Sequence, residues 1–158
     1  MKRRFGIVFI TIFLALVASI LPMPEAWRPL RVQWAALVLI YWTMAIPAQV
    51  GVGIWFLTGL AEDILTGTLL GQHALGFSVV GFITLKSHRR VRVFPLWQQA
   101  VLVTGLLLVE RLFFFWVDGT IGRPAKTPES WLAPFLGGLV WPWLFIVMRD
   151  LRRRFRVS

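Results

Sequence analysis

Residues 50–92, VGVGIWFLTGLAEDILTGTLLGQHALGFSVVGFITLKSHRRVR, decide how this chain folds. The stretch is apolar from Val50 to Leu85. It is broken by Thr66-Gly67-Thr68 and Gly71-Gln72-His73, and it ends in Lys86, Arg89, Arg90 and Arg92. If it crosses a membrane once, those basic residues lie opposite the chain's other basic clusters, Lys2–Arg4 and Arg149–Arg156. If it turns back near Gly67–Gly71, all three clusters share one side. Lys and Arg accumulate on the cytoplasmic side of membrane helices, so the charge pattern favours two crossings. A re-entrant hairpin keeps the same parity and stands as the alternative.

The membrane setting follows from composition. Hydrophobic residues make up 58% of the 158 positions, against roughly 45–50% in soluble domains. Spans of roughly 20 apolar residues use that surplus and leave only short loops. The expected spans are 5–21, 32–46, 50–65, 70–85, 97–116 and 131–148, in one integral membrane domain covering 1–158. Both termini then lie on the cytoplasmic side. Arg28, Arg31, Arg123 and Lys126, with Glu25, Asp118 and Glu129, fall on the outer side. The first run ends Leu21-Pro22-Met23-Pro24, without the small-residue cleavage pattern of a signal peptide, and reads as a retained span.

The formal charge of +10 first suggests nucleic acid. Its confinement to short clusters between apolar runs, with no nucleic-acid fold motif, argues for topology instead. The chain has no cysteine, which removes disulfides, thiolate-ligated haem, iron–sulfur clusters and Cys-based zinc sites. No cofactor is expected.

Four charges fall inside spans: Glu62 and Asp63 in the third, Glu110 and Arg111 in the fifth. A charge at mid-bilayer costs at least about 2.5–3.5 kcal/mol, so such groups face the bundle interior and pair. The expectation is a structural ion pair from Arg111 to Asp63 or Glu62, with a proton or ion path as the functional alternative. His73 and His88 sit at opposite ends of the topology and read as ordinary loop residues. Ser19, Ser78, Ser87, Ser130 and Ser158 have no evident base beside them. The sequence offers no active-site constellation and no metal-ligand spacing.

Small residues let membrane helices approach closely. Gly59, Gly67, Gly71, Gly137 and Gly138 are packing candidates, and Pro142 should kink the last span. Thr11, Ala15 and Ser19 form a ladder four residues apart on the first span. It suits either a partner helix or internal packing. Trp97, Gln98 and Gln99 are further candidates for partner contact. Arg149, Arg152, Arg153, Arg154 and Arg156 are positioned to meet anionic lipid.

Several of these motifs occur together in one family. They are Tyr41-Trp42 before Ala45-Ile46-Pro47; Gly59-Leu60 with Asp63, Gly67 and Leu70-Gly71; Leu96-Trp97-Gln98-Gln99-Ala100; and Leu139-Val140-Trp141-Pro142-Trp143 with Met148-Arg149. On them the chain resembles MreD, the small membrane subunit of the bacterial rod-shape machinery, in its Gram-negative form. Glu62 departs from the apolar residue the family pattern leads one to expect. The resemblance implies a non-enzymatic scaffold in the inner membrane. It would bind MreC and belong to an elongation complex with MreB, RodA and the partner transpeptidase. It also implies a fold like the substrate-binding membrane subunits of energy-coupling-factor transporters. The competing reading is a vitamin-type carrier subunit, which would present a small-residue stripe to its transporter; proton-coupled transport through Asp63 and Glu110 ranks third.

Overall fold

The computed structural model describes residues 2–123 and 128–157; Pro124, Lys126 and Ser158 lie outside it. Six α-helices are formed among the described residues, with no strand: α1 (Lys2–Ile20), α2 (Trp34–Ala45), α3 (Val52–Thr66), α4 (Gln72–Arg92), α5 (Leu96–Thr120) and α6 (Ala133–Arg154). Single 3₁₀ segments, Glu25–Leu30 and Pro128–Leu132, precede α2 and α6. Each expected span corresponds to one helix. Two helical stretches, Leu96–Thr120 and Pro128–Arg154, are long and apolar enough to cross a membrane; Arg4–Ile20 and Trp34–Ala45 are apolar but shorter. With 15 residues, α3 rises only about 22 Å.

Several boundaries differ from the sequence reading, two of them at basic clusters. α4 does not stop at Leu85 but carries Lys86, Arg89, Arg90 and Arg92 as its last turns. α6 likewise continues to Arg154. Arginine and lysine are good helix formers, and cations near a helix C-terminus meet the negative end of its dipole. The expected basic loop and tail are therefore largely helical.

The core is organised round α2. Every residue from Ala35 to Met44 is buried. Its sequence, WAALVLIYWTMA, carries no charge on any face, and a helix apolar all round belongs inside. It touches α1, α4, α5 and α6, while the most extensive helix pairs are α3 with α4 and α5 with α6. Indole N–H groups tie it laterally. Trp42 donates to Thr11 Oγ1 of α1 at 2.8 Å, and Trp55 of α3 donates to Thr43 Oγ1 of α2 at 2.9 Å. A buried indole needs such an acceptor.

The first of these bonds favours one of the two readings of the small-residue ladder. Thr11, Ala15 and Ser19 are all buried, so the small-residue ladder packs within the bundle and is not open to a partner helix. Just beyond it, Arg31 lies over the end of α1. Its guanidinium donates to Leu21 O at 2.6 Å and also to Ser19 O.

The glycines put forward as packing candidates divide into two kinds. Gly59 leaves no room for a side chain: a Cβ there would lie 2.5 Å from the Cα of Ala74. Gly81 sits under the Trp55 ring, Gly137 faces Leu107, and Gly138 faces Thr104 and Ala100 O. These positions set the close approach of α3 to α4 and of α5 to α6. Gly67 and Gly71 are not packing residues. A Cβ at either would touch nothing, but their φ angles are +70° and +99°, a region that glycine occupies without steric cost. They make the α3–α4 turn. Pro142 lies within α6, whose helix runs through it from Ala133 to Arg154.

Overfilling a packed contact costs about 1–3 kcal/mol. Gly59→Val and Gly81→Leu should therefore lower the melting temperature in detergent, while Gly105→Ala, which meets open space, should leave it unchanged or raise it. Equal tolerance of all three would contradict the packing described.

Candidate functional site

The α3–α4 turn gathers a network of polar groups round buried Asp63 and Gln72. A helix begins with backbone N–H groups that have no partner within the helix. The residue preceding α4 is Gly71, which has no side chain with which to cap them. Asp63, in the last turns of α3, supplies the acceptor across the turn. Its Oδ2 accepts from Gly71 N at 2.8 Å and Ala74 N at 3.4 Å. Its Oδ1 accepts from His73 N at 2.9 Å and Thr68 Oγ1 at 2.7 Å. The His73 ring completes the set, with Nδ1 2.8 Å from Oδ1. The Asp63 backbone carbonyl meanwhile accepts from Thr68 N at 3.1 Å. A carboxylate is well placed here, since anions are stabilised at helix N-termini.

Asp63 therefore does not make the ion pair expected with Arg111. Both of its oxygens are filled by the turn and the start of α4. Glu62 does not take that role either: its Oε2 is buried with no hydrogen-bond partner, as is Nε of Arg111. Consecutive residues on a helix point about 100° apart, so Glu62 cannot share the cap that Asp63 makes. Glu110 is buried in α5 and its stem lies over Gly76 of α4, where a Cβ would come within 3.3 Å of Glu110 Cγ.

His73 is not the ordinary loop residue the sequence suggested. It is the second residue of α4, its ring held by Asp63 and packed against Phe114 at a centroid distance of 4.7 Å. Gln72 beside it extends the network to α5. Its Nε2 donates to Asp118 Oδ1 at 2.9 Å and to Phe114 O at 3.2 Å. An expected span that stops at Trp116 puts Asp118 in an outer loop; α5 instead runs to Thr120 and buries it. The available signal was the spacing of Asp63 and His73 across two glycines, which marks a cap reaching over a turn.

A second polar tie holds the opposite end of α4. Gln99 is buried near the start of α5. Its amide donates to Val91 O and Phe94 O, each at 3.1 Å, so it satisfies carbonyls at the end of α4. Its Oε1 accepts from Trp141 Nε1 of α6 at 3.3 Å. The Trp-Gln-Gln and Trp-Pro-Trp motifs thus meet through one side chain from each. Gln99 is not a partner-contact residue; Trp97 is exposed, and Gln98 is half-buried.

Among the five arginines of the C-terminal region, Arg153, Arg154 and Arg156 are exposed, whereas Arg149 and Arg152 are half-buried. His88 lies away from His73, in the last turns of α4. Among the described residues no three His, Asp or Glu side chains are placed to hold a metal ion.

Buried side chains such as Asp63, Gln72 and Gln99 join helices, in a chain that is all-helical among the described residues and has apolar outer faces. That defines a small helical, membrane-associated protein. The model of the family described as rod shape-determining protein MreD matches residues 1–151, and the chain belongs to that family. It is 35% identical over 161 aligned positions to the rod shape-determining protein MreD of Haemophilus influenzae, covering 99% of each chain. No solved structure matches it. Family membership gives the chain a role in cell shape.

Removing Asp63 strands several donors at once, and buried hydrogen bonds to a charged group are worth about 1.5–3 kcal/mol. Asp63→Ala should therefore destabilise strongly and Asp63→Asn less, because the amide oxygen still accepts. Glu62→Gln should be close to neutral. In thermal-melt measurements on a double-mutant cycle, Asp63→Asn and Arg111→Gln should add without coupling. A large coupling would restore the direct ion pair.

Proposed function

We propose that this chain is a non-enzymatic membrane scaffold of the cell-wall elongation machinery, binding an MreC-type protein in the inner membrane. Its wider assembly would contain MreB, RodA and the partner transpeptidase. The observation that carries the reading is the family match across residues 1–151. The site geometry supports it. Asp63, Gln72, Gln99 and Trp42 are all engaged in tying one helix to another. A rigid body that presents its outer faces suits a scaffold.

The carrier reading loses its main sequence support. A carrier would offer the stripe Thr11, Ala15 and Ser19 to a transporter, but these residues are buried inside the bundle. A carrier also needs several converging polar groups left open to a ligand; both oxygens of Asp63 are occupied, which leaves Glu62 Oε2 and Arg111 Nε as unpartnered atoms in its neighbourhood.

In the membrane we propose six crossings by α1 to α6, with both ends cytoplasmic and the α3–α4 turn outside, as one domain. The arrangement would be of the kind built by energy-coupling-factor binding subunits. The three basic clusters then lie on one side, as the positive-inside rule requires. The helical ends of α4 and α6 carry two of those clusters.

Purification of the full chain from its own bacterium should bring down an MreC-type protein. Recovery of an energy-coupling ATPase module instead would overturn the scaffold in favour of the carrier. A phosphatase fused after Arg123 should be active and one fused after Arg92 silent. Activity at Arg92 would overturn the double crossing by α3 and α4.

A further inference from the structure

At the end of the bundle opposite Asp63, a cavity of about 170 Å³ opens between α2, the end of α4, the start of α5 and α6. Tyr41, Arg92, Gln99, Phe145, Arg149 and Arg152 line it, and no carboxylate does. Three guanidinium groups converge on a space that has little left to accept from them. The Gln99 amide oxygen is already used by Trp141. Arg92 turns Nε, at 3.0 Å, and Nη2 to Met44 O at the end of α2. Nε of Arg149 is buried with no hydrogen-bond partner. A buried donor without an acceptor is costly. An anion in the cavity would supply one.

We propose that this cavity holds the phosphate of an anionic phospholipid headgroup. Guanidinium forks match phosphate oxygens in pairs. The cavity is too small for a whole lipid, but its surroundings suit one that enters headgroup first. Phe145 and Tyr41 form apolar wall, and Trp143, Ile146 and Val147 on the same helix are exposed and available to acyl chains. The assignment divides the basic tail into two sets. Arg149 and Arg152 serve the site with Arg92, while Arg153, Arg154 and Arg156 face outward. It depends on membrane association and not on the number or direction of crossings.

Native mass spectrometry of the full chain, in mild detergent doped with phosphatidylglycerol or phosphatidylcholine, tests this. The unaltered protein should retain phosphatidylglycerol at least about tenfold better, because the basic side chains favour the anionic headgroup. Arg149→Gln with Arg152→Gln should abolish the preference. Arg153→Gln with Arg154→Gln removes the same charge and should keep it. Phe145→Trp changes no charge but fills the cavity, and should also weaken retention; it serves if the first double variant fails to fold. Equal loss in the two double variants would overturn the site in favour of diffuse attraction. No loss in either would overturn it as well. Displacement of the lipid by millimolar inorganic phosphate, with phosphate binding in its place, would overturn the lipid as the source.

Discussion

The carboxylate of Asp63 makes the α3–α4 hairpin possible. A helix that starts within or near a bilayer exposes N–H groups that water is not at hand to satisfy. Gly71 gives the turn its positive φ but contributes no side chain to close the helix start. The two requirements conflict at one position, since the backbone needs glycine and the cap needs an acceptor. The fold resolves the conflict by bringing the acceptor from the preceding helix. Once Asp63 is placed there, Gln72 and His73 follow, because they are the first residues of the helix it caps. Through Gln72 the constraint reaches Asp118 and Phe114 of α5.

The same logic recurs at other helix ends, with the sign of charge reversed where the dipole reverses. Arg31 covers carbonyls at the end of α1, and Arg92 covers Met44 O at the end of α2. Neutral Gln99 covers the end of α4. A carboxylate sits at a helix start and guanidinium groups sit at helix ends, as the macrodipole favours. Asp63, Arg31 and Arg92 are thus explained without invoking a reaction or an ion path.

The helices were legible because apolar runs, prolines and basic clusters repeat on a scale the sequence shows directly. Their ends were less so. Leu85 and Met148 look like stops when hydropathy alone is followed, yet the arginines beyond them continue the helix. The side-chain pairings were the least legible. Asp63 and Arg111 looked like partners by depth and charge, but depth does not fix azimuth, and the competing acceptor demand came from backbone groups that carry no letter in the sequence. The ladder Thr11, Ala15 and Ser19 is equally correct as an inner or an outer stripe until Trp42 is seen to donate to Thr11. Gln99 and Trp141 stand in motifs the sequence displays, and only the packing of α5 against α6 shows that they meet.

A bundle in lipid gains little from hydrophobic attraction between its helices, so contact must come from close approach and directed bonds. Here Gly59, Gly81, Gly137 and Gly138 permit the approach, and indole N–H groups supply direction. Such contacts leave little freedom to open the interior, because separating α3 from α4 breaks the Asp63 cap as well as the glycine contact. A carrier must open to load and release its cargo. A scaffold gains by keeping one shape, and this pair of helices is held at both its packing surface and its turn. The sense in which the charged residues serve structure is therefore also the sense in which they support the proposed role.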